Sequence, residues 1–207
     1  SDLHRRDLIH RDVKPGNLIL HGERTIKLVD LGLAAMSTSS GGMDSVFRFE
    51  TQDGHMAGTL PFMAPEQARS LANATEQSDI YGLGATWFYL LTGRERLRGK
   101  SFSEQVANLI HFGKFSKLKK GQLPDSLESV YERMVAYRPA DRYESCDELA
   151  DELKAALVEA GETVAVVDGI NVLVVEDSRT DMMRTIEMLR RTNSSLSIET
   201  EIGRAHV

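Results

Sequence analysis

The 207-residue sequence predicts a mainly α-helical lobe with small β-hairpins near its start, followed by the opening of a truncated α/β unit. Three observations carry that expectation. Two short apolar runs flank a glycine turn between Leu18 and Val29. Helical patterning dominates from Pro65 to about Ala160. Beyond Asn171 a Val/Leu-rich run, an amphipathic stretch and an alternating run follow in turn.

Taken in order, residues Ser1 to Ile9 read as the end of a helix. Leu18 to Leu20 and Thr25 to Val29, separated by His21-Gly22-Glu23, predict a small hairpin. From Gly32 to Pro65 the periodicity disappears, and the tract Ser37-Thr38-Ser39-Ser40-Gly41-Gly42 cannot build a core, so a long functional loop is expected. Ala64-Pro65-Glu66-Gln67-Ala68 opens a short helix. Ile80 to Leu91 is apolar nearly all round and predicts a helix buried at the centre of the lobe, with Ser78-Asp79 at its cap and Gly93 at its end. Gly82 and Gly84 within it read as close-packing positions. Further helices are expected at Ser103 to Phe112, Ser126 to Met134 and Cys146 to Glu159, the last two preceded by capping signals.

Composition shifts at Gly161, so 158–170 reads as a linker. Asn171 to Glu176 predicts a strand that runs into Glu176-Asp177-Ser178, Arg179 to Arg191 an amphipathic helix, and Leu196 to Thr200 a second strand. After Thr200 the alternation is expected to stop. Residues 202–207, Ile202 to Val207, resemble the translated start of a common sequencing adapter and are excluded from fold reasoning as an artefact.

A formal charge of -6 and a pI near 5.6 exclude a global basic field for nucleic acid, and Lys114, Lys117, Lys119 and Lys120 read as a solvated surface. The single Cys146 excludes an internal disulfide framework and fits a reducing, cytoplasmic setting. The apolar run Ile80 to Leu91 is about half the roughly 20 residues that a spanning helix needs, so no membrane segment is expected here.

The stretch His10-Arg11-Asp12-Val13-Lys14-Pro15-Gly16-Asn17 is the most informative feature, because Asp30-Leu31-Gly32 follows thirteen residues after Asn17 behind a short apolar run. Phosphoryl transfer needs one carboxylate to receive the substrate hydroxyl, and an amide and a second carboxylate to hold magnesium. Asp12 fits the first role; Asn17 and Asp30 fit the second. Downstream, Gly58-Thr59-Leu60-Pro61-Phe62-Met63-Ala64-Pro65-Glu66, Ser78-Asp79-Ile80-Tyr81-Gly82-Leu83-Gly84 and Arg138-Pro139-Ala140-Asp141-Arg142-Tyr143 recur in a fixed order.

Together these motifs resemble the eukaryotic-type (bacterial Hanks-type) serine/threonine protein kinases, over residues 1–157, and imply the carboxyl-terminal lobe of a kinase fold. The resemblance implies ATP and Mg2+ as cofactors and Ser/Thr hydroxyls of proteins as substrates in signal transduction. It makes Asp12 the catalytic base and Lys14 the charge on the transferring phosphoryl group, with Thr59 bridging the two. Asn17 and Asp30 would hold the metal, and Ile19 would lie under the adenine ring. His10 and Leu31 would join a stacked apolar spine, whereas Leu18 and Leu20 read equally well as core. Glu66 and Arg142 match an ion pair that anchors the activation segment, and Asp79 would bind the backbone of the catalytic loop. Arg11 implies control by a phosphate on the loop, with Ser37, Thr38, Ser39, Ser40, Ser45 and Thr51 as candidate sites. Leu31 and Phe62 stand where many kinases carry Phe and Tyr; both keep apolar volume.

Residues 171–201 resemble the start of a response-regulator receiver domain. Glu176 and Asp177 would then bind magnesium, and a phosphorelay partner is implied. The chain is thus expected to be a piece of a longer kinase, lacking the nucleotide-covering lobe and nearly inert alone. Two rivals remain: a catalytically inert kinase-like scaffold or binding module, and a small-molecule phosphotransferase with a similar His-x-Asp-x4-Asn loop. The second lacks counterparts of Lys14 and of Ala64-Pro65-Glu66.

Overall fold

A computed structural model of the protein describes residues 3–21, 25–30, 58–161, 172–176 and 198–202. Residues 32–57 of the loop expected from Gly32 to Pro65, its candidate phosphosites, Leu31, Asp177, the 179–191 helix and residues 203–207 lie outside the described residues, whereas the end of that loop forms a 3-10 turn, Leu60–Phe62.

The chain enters through a short 3-10 turn, His4–Arg6, which ends at Asp7 in the left-handed region. After the loop 8–14, a second turn, Pro15–Asn17, leads into an antiparallel hairpin of β1 (Leu18–His21) and β2 (Thr25–Leu28), paired Leu18 to Leu28 and Ile19 to Lys27. The hairpin matches the two apolar runs, but Leu20 is 66% exposed, which removes it from the core. Ile19 and Ile26 are also exposed, so the hairpin presents apolar surface outward.

Five helices follow: α1 (Pro65–Arg69), α2 (Glu76–Thr92), α3 (Phe102–Ile110), α4 (Asp125–Met134) and α5 (Cys146–Glu159). α2 starts earlier than its apolar run suggests. Thr75 is its N-cap residue, and Ser78, expected at the cap, lies inside the first turn, where its Oγ accepts the Thr75 N–H at 3.0 Å. Gly93, at φ 64°, closes the other end by donating its N–H to Tyr89 O at 2.8 Å. α3 begins after Ser101, whose Oγ accepts Glu104 N–H, and stops at Ile110 rather than Phe112. α4 follows Pro124 and carries no side-chain cap bond, contrary to the capping signal read there. α5 has a side-chain cap: Ser145 Oγ accepts Glu148 N–H, while Glu148 Oε2 accepts the N–H of Glu144, one residue before the cap.

Three apolar clusters meet on α2 and its neighbours. Leu60, Met63, Ala68, Leu97, Val106 and Leu109 join α1 to α3. Ala64, Tyr81, Ala85, Phe88, Tyr131 and Val135 pack around one side of α2, and Ile80 joins Leu127, Val130, Met134, Tyr143 and Leu149 on another. α2 is therefore central but not buried all round: Leu83, Tyr89, Leu90 and Leu91 lie at the surface. Gly82 and Gly84 are close-packing positions, since a Cβ on Gly82 would meet Val13 O at 3.0 Å and one on Gly84 would meet Val135 Cγ1 at 2.7 Å.

Further along, β3 (Val172–Glu176) and β4 (Ile198–Ile202) pair in parallel, with Val172 opposite Ile198. β4 runs to Ile202, two residues past the expected end of the alternation. Among the described residues no helix is long and apolar enough to cross a membrane.

Candidate phosphotransfer site

The loop between the first 3-10 turn and β1 is held by α2. Asp79, 6% exposed, accepts the backbone N–H of His10 through Oδ2 and that of Arg11 through Oδ1, both at 2.8 Å. A carboxylate taking two amides fixes the loop far more tightly than a side-chain packing contact. Arg11 itself sits at φ 69°, and Asp30 at φ 65°, conformations that cost energy for residues other than glycine. Both strained residues flank the chemistry. No sequence signal announces either one.

His10 is buried and neutral in its bonding: Nε2 donates to Val29 O at 3.1 Å, and Nδ1 accepts the Asp12 N–H at 3.3 Å. Burial pushes its pKa below the usual value, against the opposing pull of Asp79 and Asp12. The ring thus ties the catalytic loop to the end of the hairpin.

Asp12, Lys14, Asn17 and Thr59 converge. Lys14 Nζ lies 2.8 Å from Asp12 Oδ2 and donates to Thr59 Oγ1 at 2.9 Å. The ammonium, rather than the expected Thr59 hydroxyl, is what bridges. Asn17 Nδ2 donates to Asp12 O at 2.8 Å and to Asp12 Oδ2 at 3.0 Å, which leaves its carbonyl oxygen as the remaining acceptor. Among the described residues, Asp12 Oδ1 is buried without a hydrogen-bond partner. An orphaned acceptor on an otherwise fully engaged carboxylate is a group awaiting a donor.

Asn17 sits one residue beyond the β1–β2 register, where its C=O accepts the Val29 N–H at 2.9 Å. That pairing puts Val29, the residue before Asp30, opposite Asn17 although thirteen residues separate Asn17 from Asp30 in sequence. Two oxygen donors of this kind, an amide carbonyl and a carboxylate, match what a hard cation such as Mg2+ requires. Ile19, on β1, is 39% exposed. Lys14, Pro15, Gly16, Gly58, Phe62, Tyr89 and Glu95 line a groove of about 480 Å3 beside the loop, and Phe62 meets Tyr89 edge-on at 5.9 Å. Glu176 ends β3, and its side chain lies outside what the structure describes.

The segment after Thr59 is anchored from below. Arg142, whose side chain is 0% exposed, donates to both oxygens of Glu66 at 2.7 and 3.0 Å, and also to the carbonyls of Ala136, Gln77 and Tyr137. Ser78 Oγ donates to Glu66 Oε1 at 2.7 Å. Gln67, 2% exposed, escaped sequence reasoning. Its Oε1 accepts the Ala64 N–H and its Nε2 donates to Arg11 O at 2.9 Å, so it clamps α1 to the catalytic loop. The available signal was its place at the third position of a helix opened by Pro65. Buried Arg11 Nε has no partner among the described residues, and burial lowers the pKa of that guanidinium from its usual value.

Comparison with known proteins agrees with this geometry. The family model for the protein kinase domain matches residues 1–153. The serine/threonine-protein kinase PknK of Mycobacterium tuberculosis is 36% identical over 153 residues, covering 73% of this chain and 13% of that protein. PrkC of Bacillus subtilis is 32% identical over 154 residues, or 74% of this chain and 22% of its own length. PknE of Mycobacterium tuberculosis is 32% identical over 157 residues, with 76% and 26% covered. The chain therefore spans between 13% and 26% of the length of these relatives. With the motifs in order, the loop geometry in place and the family model matched across most of its length, this chain belongs to the protein kinase domain family.

Proposed function

We propose that the protein containing this chain is a serine/threonine protein kinase, transferring the γ-phosphoryl group of ATP to hydroxyls of protein substrates. The observation that carries the reading is the buried Asp12 Oδ1, unpartnered among the described residues, beside the Lys14 ammonium. A substrate hydroxyl donating to that oxygen is oriented for attack, and its proton has an acceptor as the bond to phosphorus forms. Lys14, 2.8 Å from the same carboxylate, sets positive charge where the transferring phosphoryl carries negative charge. Thr59 holds that ammonium in place.

Asn17 and Asp30 would hold Mg2+, which neutralises the nucleotide phosphates when bound. Ile19 would lie under the adenine ring. The groove lined by Gly58, Phe62, Tyr89 and Glu95 suits an extended substrate chain, since it opens at Lys14 and combines apolar walls with one acid. Arg11 suits regulation by a phosphate on the loop that follows Asp30. The inert scaffold reading has less support, because scaffolding needs none of the Asp12, Asn17 and Asp30 arrangement.

A receiver domain after the kinase lobe is the second part of the reading. Its support is the parallel pairing of β3 and β4, which requires a crossover between them of the kind an α/β unit supplies. Glu176 and Asp177 would then serve its metal, and a phosphorelay partner would couple to the kinase.

The test uses the intact protein, labelled ATP, Mg2+ and a generic basic protein substrate. Label on serine and threonine that disappears with Asp12→Asn supports the proposal. Absence of transfer, or transfer undiminished in that variant, overturns it.

A further inference from the structure

Outside the Asp12–Asn17–Asp30 constellation, three segments meet at a mixed donor cluster. One nitrogen of His4, one carboxylate oxygen of Glu76 and Sγ of Cys146 lie within 4.8 Å of one another. They come from the turn before the catalytic loop, the first residue of α2 and the first residue of α5. His4 Nδ1 stands 2.7 Å from Glu76 Oε1, and Nε2 stands 2.8 Å from Asp79 Oδ2, with the imidazole 6% exposed. The same Glu76 oxygen accepts the Cys146 backbone N–H at 2.7 Å.

Two carboxylates on opposite nitrogens of one buried ring need a positive charge between them. Asp79 takes the Nε2 proton, which turns Nδ1 toward Glu76 and Cys146. A carboxylate that fixes a histidine through one nitrogen, so that the other faces a cation, is the arrangement found around protein-bound metals. The donor set decides which metal. Imidazole, thiolate and one carboxylate favour a borderline-soft ion of the zinc class over magnesium or calcium, which take oxygen alone. Ligand atoms of a tetrahedral zinc lie about 3 to 4 Å apart, a spacing this cluster reaches with small side-chain movements.

We propose that His4, Glu76 and Cys146 form a binding site for one divalent transition-metal ion of the zinc class, with water completing its coordination and Asp79 orienting His4 from behind. Cys146 is partly exposed, which gives the ion and the water an entry path. Such an ion joins three separated segments and acts on Asp79, the carboxylate that holds the His10 and Arg11 amides. Binding would therefore stiffen the catalytic loop from the side opposite the substrate. When no ion is bound, a proton supplies the charge. Burial disfavours it, but Asp79 and Cys146 hold it, raising the His4 pKa to about 10.

The experiment titrates the chelator-stripped intact protein with Co2+ and records its near-ultraviolet and visible spectrum. The expected result is one equivalent bound with a thiolate-to-cobalt charge-transfer band, displaced by Zn2+ and lost in Cys146→Ser. The wild-type spectrum alone decides the matter if that variant fails to fold. No such band at saturating cobalt, or a band that persists in Cys146→Ser, overturns the proposal and leaves a proton-held cluster. Because cobalt on oxygen donors such as Asn17 and Asp30 gives no thiolate band, this result stands apart from whether the kinase reading holds.

Discussion

Asp12 and Lys14 form the pair on which the site turns, and their distances separate their roles. Asp12 uses Oδ2 for Lys14 and Asn17 and keeps Oδ1 open, so replacing it with Asn leaves the packing but removes the proton acceptor. Asp12→Asn should lower kcat by about 10² to 10⁴-fold, the usual range for a general base, with little change in thermal stability. Thr59 Oγ1 accepts a hydrogen bond from the ammonium. Thr59→Ala loses one charge-assisted hydrogen bond, so kcat should fall by roughly 10 to 100-fold. Steady-state kinetics of the two variants checks the order: a larger loss at Thr59 than at Asp12 would reverse the assignment of roles. The sequence placed Asp12, Lys14 and Asn17 on one loop, but the bonds by which Asn17 reaches back to Asp12 were not readable from it. The left-handed Arg11 was not either, since arginine does not favour that conformation, and at Asp30 the residue type tolerates it without singling the position out.

At the scale of elements, α2 organises the lobe through its small residues and its first turn. A methyl on Gly84 would sit 2.7 Å from Val135 Cγ1 and 3.0 Å from Met134 Cβ, both on the end of α4. Alanine gains about 1 kcal/mol of helix propensity over glycine. Overpacking costs about 1 to 3 kcal/mol, so the crowding wins and Gly84→Ala should be destabilising. Urea denaturation of the variant against the wild type checks this; a stabilised variant would show that α4 moves aside freely. The Glu66–Arg142 pair joins α1 to the segment before α5 and is buried on both sides. Glu66→Gln keeps one acceptor but strands the guanidinium among carbonyls, at about 3 to 5 kcal/mol. The same denaturation experiment should show a correspondingly lower midpoint, and an unchanged one would mean that the carbonyls of Ala136, Gln77 and Tyr137 suffice. The existence of α2 to α5 was readable from periodicity, whereas the helix end expected over Ser1 to Ile9 is only a 3-10 turn, His4–Arg6. The ends were less so, because α2 begins with the polar turn Glu76-Gln77-Ser78, whose residues serve Cys146, Arg142 and Glu66 rather than a core.

For the molecule as a whole, the sequence order of the motifs revealed which pieces must converge, but not what welds them. Gln67 and His4 make contacts 56 and 75 residues away, and neither side chain advertises its partner locally. The weld with the clearest whole-molecule consequence is His10. Its neutral ring both donates, to Val29, and accepts, from the Asp12 amide; a second proton on Nδ1 would destroy the acceptor and place charge in a buried site. Burial accordingly lowers its pKa in the folded chain below the unfolded value of about 6.5. The unfolded state then binds more protons over the interval below about pH 6.5, so folding free energy falls as pH drops through it. Above that pH the His10 contribution is complete and pH-independent. Denaturant unfolding of the intact protein at intervals from neutral to mildly acid pH should therefore show stability declining on the acid side. His10→Phe, which fills the same space without a titrating group, should flatten that decline while losing the two hydrogen bonds. An acid limb identical in both proteins would place the sensitivity elsewhere, among the carboxylates paired with Arg142, Lys14 and the loop amides.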